Sequence, residues 1–290
     1  MSSGDISQLT AMGFDDSSSR EALASANGNV ETAVNILLGV VPAPAAPSSS
    51  SAASPSAANV GDMIVCPTSQ YSVGNGRSAC TCIALTAATN FLQISGGGSV
   101  TLNAEFLQNM IMNGVQNYQT LSSVSPVEHL SAEEVLQTDQ GKCFPLSVRG
   151  GIRQGILSSD SFHPMGMQAL LEGIQEEQQG QCNAYIAVLI TKTPETVLVC
   201  LPLSGSGAYW LIDSHPRAAH LGADGSYAKP HPNLVSLLQS LQAIFPPTEL
   251  GPDIPEMMAM MYNSFDMYPL QMKYDVILAK KAKSNRGGCH

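Results

Sequence analysis

The stretch Tyr71-Ser-Val-Gly-Asn-Gly-Arg-Ser-Ala-Cys80-Thr-Cys-Ile-Ala-Leu-Thr-Ala-Ala-Thr-Asn-Phe-Leu92 decides how this chain is read. A glycine-rich turn, Gly74-Asn75-Gly76, leads into a pattern that is apolar at Ile83, Leu85, Ala88, Phe91 and Leu92. That spacing predicts a helix over residues 81–94, ended by the glycines that follow. Cys80 stands at the junction. A helix start offers backbone N–H groups without intrahelical partners and the positive end of the dipole, and both favour a thiolate. Cys82 is the alternative nucleophile, but it lies two residues into the helix and points away from a site at the helix start.

Composition narrows the partners. The 290 residues carry a net charge of −10, which argues against a nucleic-acid partner needing a basic face. At 44% hydrophobic the chain can bury a large core. With only 6% aromatic residues, that core leans on Leu, Ile, Val, Met and Ala. No apolar run is long enough to span a membrane, and the N-terminus lacks a signal-peptide pattern. The seven cysteines, an odd number, read as reduced thiols of the cytoplasm or nucleus. Cys80 and Cys82 are spaced too closely for a zinc half-site, so no metal or other cofactor is expected.

Around the central helix, patterning predicts an α+β architecture with helices packed on a mainly antiparallel sheet. Residues 63–66 read as a strand and 70–76 as loop. Residues 102–119 read as a helix with Phe106, Leu107, Met110, Ile111 and Val115 on one side. Ser131 and Glu134 form a capping-box pattern, and 165–177 is a further helix. Residues 184–191 and 196–203 are apolar runs either side of a turn, a hairpin of buried strands. A third strand over 209–215 is stopped by Pro216; a helix over 233–245 and a strand over 273–280 follow. The Met-rich run 255–261 reads as a helical core segment, with an adaptable binding surface as the alternative. Cys66, Cys143, Cys182 and Cys200 read as core or inert thiols. His129, His163, His220, His231 and His290 read as surface residues.

The third strand carries the second chemical signal, Asp213-Ser214-His215. Residues two apart share a strand face, so Asp213 and His215 lie together, where a carboxylate can orient an imidazole. A cysteine at a helix start combined with a strand-borne histidine is the arrangement of papain-like thiol hydrolases. An oxyanion donor is needed as well, and Asn75 in the glycine-rich turn carries an amide that could serve.

Residues 5–39 form a separate small unit of three short helical patterns. Its string Met12-Gly13-Phe14, Ala22-Leu23 and Asn27-Gly28-Asn29-Val30-Glu31, with Ala33, Val34, Leu37 and Leu38, resembles a ubiquitin-associated (UBA) domain. In that family an apolar patch binds ubiquitin. The resemblance implies contacts at Met12, Gly13, Phe14, Leu37 and Leu38. The expected organisation is a three-helix UBA domain over 1–41, a Pro/Ala/Ser-rich flexible linker over 42–60, a protease domain over 61–283, and a tail over 284–290.

The larger part has a resemblance of its own. Gln70, the glycine-rich turn, Ser78-Ala79-Cys80 before an apolar helix, and Leu211-Ile212-Asp213-Ser214-His215 are similar to the papain-like deubiquitinating cysteine protease of herpesvirus large tegument proteins. That resemblance implies a nucleophile at Cys80, a base at His215, an orienting carboxylate at Asp213 and an oxyanion-hole amide at Gln70. The expected activity is hydrolysis of isopeptide or peptide bonds at the ubiquitin C-terminus. The expected partners are ubiquitin, polyubiquitin chains and ubiquitinated proteins, with no nucleic acid and no membrane. The alternatives are an inactive ubiquitin receptor and another thiol acyl-transfer enzyme.

Overall fold

The apolar runs either side of Thr193-Pro194 form the centre of a sheet buried on both faces. The computed structural model describes Ile6, residues 15–25, Ala33, and residues 62–273 apart from 97–99, 124–129, 161, 180–182, 204–206 and 252. Met12, Gly13, Phe14, Leu37 and Leu38, the linker and the tail lie outside the described residues. The chain divides into two compact units, Met1–Pro55 and Ser56–His290.

In the first unit, helix α1 (Asp16–Ser25) begins where the Asp15 carboxylate accepts the Ser18 N–H at 2.9 Å. Ala22, Leu23 and Ala33 are buried. Ile6 and Ala33 are helical as well.

The second unit opens with strand β1 (Ile64–Cys66), helices α2 (Cys80–Ser95), α3 (Ala104–Ser122) and α4 (Ala132–Gln137), and strands β2 (Leu146–Val148) and β3 (Arg153–Ile156). Helix α5 (Met167–Glu177), strands β4 (Tyr185–Lys192), β5 (Glu195–Pro202) and β6 (Tyr209–Asp213), and a short helix α6 (Ala218–Leu221) follow. Strand β7 (Ser226–His231), helices α7 (Leu234–Ile244) and α8 (Glu256–Tyr262), and strand β8 (Ser264–Met272) complete the described elements. The strands form one eight-stranded sheet in the order β1-β7-β6-β5-β4-β8-β2, with β3 also paired to β8. Its pairings are antiparallel. The architecture is thus α+β, as the patterning predicts.

Period-2 alternation divides the core. Ala187, Leu189, Leu198, Cys200, Trp210 and Ile212 pack toward α2 and α3 on one face. Val188, Ile190, Val197, Val199 and Leu211 pack toward α5 and α7 on the other. A sheet covered on both faces needs apolar residues at every position, which is why β4 and β5 read as continuous runs. Helix α2 is similarly buried nearly all round, Cys80 to Ala88 without a break. It lies against α3 at Gly114, where an added Cβ would meet the Ile83 Cα at 2.5 Å. The capping box at Ser131 and Glu134 forms, with Ser131 Oγ accepting the Glu134 N–H and Glu134 accepting the Ser131 N–H. Asn103 and Asn233 cap α3 and α7.

Several expectations need correction. Strands β2, β3, β7 and β8 escape the pattern. Pro230 interrupts β7 and Pro269 interrupts β8, and proline within a run argues against a strand. The fold places both where the neighbouring ladder is broken. The β1 partner of β7 ends at Ala228. Pro269 lies between the segments of β8 paired with β3 and β2, where its carbonyl accepts the Arg149 N–H at 2.8 Å. The strand expected over 273–280 lies outside the described residues beyond Lys273, which itself follows β8. The Met-rich helix α8 is not core, since Met257 and Met261 are 75% and 71% exposed. His231 is buried at the end of β7, with Nδ1 3.0 Å from Ser236 Oγ. Cys143 is exposed, at the end of a 3-10 turn.

Candidate active site

Helix α2 starts at Cys80 without a side-chain cap. Its first turn is held from below, because Ala79 N–H donates to Gly76 O and Ile83 N–H to Ala79 O. Gly76 is required here by close approach: a Cβ would come 2.1 Å from the Gln70 carbonyl oxygen. Its role is therefore internal, folding the turn onto residue 70, whereas Gly74 is exposed with open space around it. Cys80 itself is only 4% exposed, and its Sγ lies 3.5 Å from the Pro194 carbonyl in the β4–β5 turn.

Strand β6 ends at Asp213, two residues earlier than patterning suggests, and the chain turns through Ser214 and His215. Three successive side chains then take three directions. The Asp213 carboxylate meets His215 Nδ1 at 2.5 Å and also accepts the His215 backbone N–H at 2.9 Å. Ser214 donates its hydroxyl to Gln70 Oε1 at 2.7 Å, and its carbonyl accepts the Gln70 N–H at 3.2 Å. His215 lies within interaction range of the Cys80 side chain.

Gln70 is buried in a 3-10 turn over Gln70–Ser72, not in open loop. Its Nε2 donates to Arg77 O at 3.1 Å, in the segment leading to Cys80. The amide is thus tied to both the cysteine arm and the histidine arm. Asn75 is exposed at φ 63°, in the left-handed region, and lines a surface concavity with Tyr118 and Gln119 on α3.

The electrostatics favour a charged pair. Burial opposes the charged ring of His215, yet the Asp213 charge, its hydrogen bond and the nearby Cys80 and Glu195 raise the imidazole to about 10. Burial works against the Asp213 carboxylate as well, but His215 and Arg217 bring it down to about 2. Burial pushes Cys82 up to about 12, so that thiol stays protonated. Tyr71, ring centroid 5.9 Å from that of His215, is also raised to about 12 by burial and by the Glu195 charge.

The structure brings together Gln70, Cys80, Asp213 and His215. It adds Arg217, Glu195, Tyr71 and Tyr227, which the motifs do not reveal. Arg217 Nε donates to Asp213 Oδ2 at 2.8 Å, and the Tyr227 hydroxyl approaches the same oxygen at 3.5 Å. The β5–β6 register pairs Leu198 with Ile212; continued past Asp213, it brings Glu195 level with His215. That register is the signal that finds Glu195. Among the described residues no group of three or more His, Cys, Asp or Glu is placed to hold a metal, and no helix is long and apolar enough to cross a membrane.

Comparison with known proteins adds the following. Residues 3–37 match the UBA/TS-N domain family. The N-terminal segment is a UBA domain. No curated protein matches the chain at a significant level. Among solved structures, the chain is similar to the ubiquitin-specific protease of murine cytomegalovirus tegument protein M48, solved in complex with a ubiquitin-based suicide substrate. That similarity has a TM-score of 0.49 at 11% identity and covers 72% of this chain and 85% of that one.

Proposed function

We propose that the protein is a cysteine deubiquitinase in which the UBA domain, through Met12, Gly13, Phe14, Leu37 and Leu38, binds ubiquitin and the protease domain over 61–283 cleaves at the ubiquitin C-terminus. The observation that carries this is the buried Asp213–His215 pair, 2.5 Å apart, beside a cysteine at an uncapped helix start. The UBA domain supports ubiquitin as the bound protein.

The chemistry follows from the donor set. Nδ1 of His215 faces Asp213, which leaves Nε2 for the Cys80 thiol proton. Proton transfer gives a thiolate–imidazolium pair whose positive member Asp213 stabilises. The thiolate attacks the carbonyl carbon of the bond following the ubiquitin C-terminus. Gln70 Nε2 has one hydrogen committed to Arg77 O and a second for the oxyanion, alongside the Cys80 backbone N–H. One such donor is typically worth about 3 kcal/mol in the transition state. As the C–N bond breaks and the C–S bond remains, His215 protonates the leaving amine. It then takes a proton from water, which hydrolyses the thioester and returns the thiol. Cys80 is the nucleophile on this account, because Cys82 is held protonated by burial. Gln70 is the oxyanion donor, because Asn75 faces the α3 concavity.

The test is a ubiquitin derivative with a thiol-reactive C-terminal warhead. Wild type is expected to form a covalent adduct, Cys80→Ala none, and Cys82→Ala an adduct at near the wild-type rate. An adduct that survives Cys80→Ala but not Cys82→Ala moves the nucleophile. Retained ubiquitin binding with no adduct in wild type makes the protein a receptor.

A further inference from the structure

Arg217 occupies an unusual position for a cation beside a histidine that must itself become charged. Its guanidinium is 9% exposed, forked between two carboxylates. Nε meets Asp213 Oδ2 at 2.8 Å, and a terminal nitrogen meets Glu195 Oε2 at 2.6 Å. The planar group lies over the Phe245 ring at 5.6 Å, and the backbone N–H is fixed by Ala223 O at 2.7 Å. A guanidinium held on its edge, its face and its backbone has little freedom to turn.

Glu195 gives this anchor its meaning. It is the first residue of β5 and follows Pro194, whose carbonyl faces the Cys80 sulfur at 3.5 Å. The contacts therefore close a ring around the site: Cys80 to Pro194, along the chain to Glu195, across to Arg217, on to Asp213, and through His215 back to Cys80. Asp213 Oδ1 is used by His215 twice. Without Arg217, Oδ2 keeps, among the described residues, the long Tyr227 contact at 3.5 Å. A buried carboxylate left short of donors turns to find others, and that would carry the imidazole with it.

We infer that Arg217 and Glu195 are positioning residues, which tie the β4–β5 hairpin turn to the Asp213 carboxylate and so fix the distance between the Cys80 thiol and the His215 ring. The inference rests on the nucleophile assigned above. An ordinary surface ion pair would add little to stability and would leave the thiol chemistry alone. This pair is different because both anions it joins are attached to groups that touch the nucleophile.

The experiment measures alkylation of Cys80 by iodoacetamide, resolved from the other cysteines by peptide mass spectrometry, from pH 5 to pH 10. It needs no ubiquitin. Arg217→Ala is expected to slow Cys80 alkylation at pH 7 by about tenfold or more, since misplacements of about 1 Å cost up to a hundredfold. Glu195→Ala is expected to slow it several-fold and, because Glu195 is partly exposed at the first position of β5, to fold normally. Glu195→Gln, which still accepts from Arg217, restores most of the rate. The double variant is expected to be no slower than Arg217→Ala, since both act through one route. Unchanged alkylation across the profile in folded Glu195→Ala overturns the inference, as does rate loss that Gln fails to rescue. If wild-type Cys80 reacts no faster than the exposed Cys143, the nucleophile assignment fails, and this inference fails with it.

Discussion

Asp213→Asn isolates the charge that holds His215 protonated. The side chain keeps its shape and loses one negative charge. His215 is 2% exposed, and burial alone pushes its ring toward neutrality. The Asp213 charge and hydrogen bond, helped by smaller contributions from Cys80 and Glu195, outweigh burial and raise it from 6.5 to about 10. At about 1.4 kcal/mol for each pH unit, that rise is worth about 5 kcal/mol of preference for the imidazolium. The sign for stability follows. A raised folded-state value contributes stability that is complete below pH 6.5 and is lost as pH climbs toward 10. Asp213, lowered to about 2, contributes above its ordinary 3.8 and loses that contribution as pH falls toward 2. In the Asn variant, burial dominates and the ring titrates below 6.5. The slope then reverses, and stability rises with pH through the histidine range.

Two measurements check this. NMR titration of the imidazole follows the proton directly, and urea unfolding from pH 5 to pH 9 follows its consequence. Wild type is expected to hold the proton to near pH 10 and to weaken steadily above pH 6.5. The variant is expected to release its proton by pH 6.5 and to show the opposite slope. Cys80 alkylation at pH 7 should fall about a hundredfold or more, because a neutral ring in an unfixed tautomer is a poor partner for a thiolate. An Asn variant whose histidine still titrates above pH 8 would refute the assignment of the charge to Asp213.

Gly114→Ala drives a methyl group to 2.5 Å from the Ile83 Cα, a backbone atom that cannot yield locally. It should destabilise the protein by about 1–3 kcal/mol, read by thermal unfolding, and slow the ubiquitin adduct by shifting α2. Asn233→Ala removes a 2.9 Å cap from α7 and should cost about 1 kcal/mol in urea unfolding while leaving Cys80 alkylation unchanged. Removal of residues 1–41 should weaken cleavage of polyubiquitin more than cleavage of a minimal ubiquitin amide. Equal effects on both substrates would sink the delivery role of the UBA domain.

Much of the fold is legible wherever one residue class answers one environment. The β4 and β5 runs are apolar because both faces are covered, and α2 is apolar because it is enclosed. Strands β7 and β8 are not legible, since Pro230 and Pro269 are admitted by breaks in neighbouring ladders that no local pattern encodes. The methionines of α8 have the right spacing for a core helix. Their exposure follows from the lack of a covering element among the described residues, a fact about tertiary structure. At the site the division is the same. Cys80 declares itself by standing just before an apolar helical pattern, and Asp213 and His215 by lying two residues apart at a strand end. Glu195 and Arg217 come together only through the register of β5 on β6.

The tripeptide Asp213-Ser214-His215 does more than place a carboxylate beside an imidazole. Where β6 ends, alternation gives way to a turn, and each residue is free to face a different part of the site. Asp213 faces back into the protein, where Arg217 and Tyr227 complete its coordination. Ser214 faces Gln70 and binds it through both hydroxyl and carbonyl. His215 faces Cys80. The proposed oxyanion amide is therefore referenced to the same three residues as the proposed base, and its other end is bound to Arg77, three residues before the proposed nucleophile. A shift of the strand end would displace base and oxyanion donor together, leaving their spacing intact. Ser214→Ala separates the two: it frees Gln70 Oε1 but leaves Asp213 and His215 paired. It should depress turnover of a ubiquitin substrate while preserving the pH profile of Cys80 alkylation. A change in that profile would mean that Gln70 orients the thiol–imidazole pair instead of serving the oxyanion.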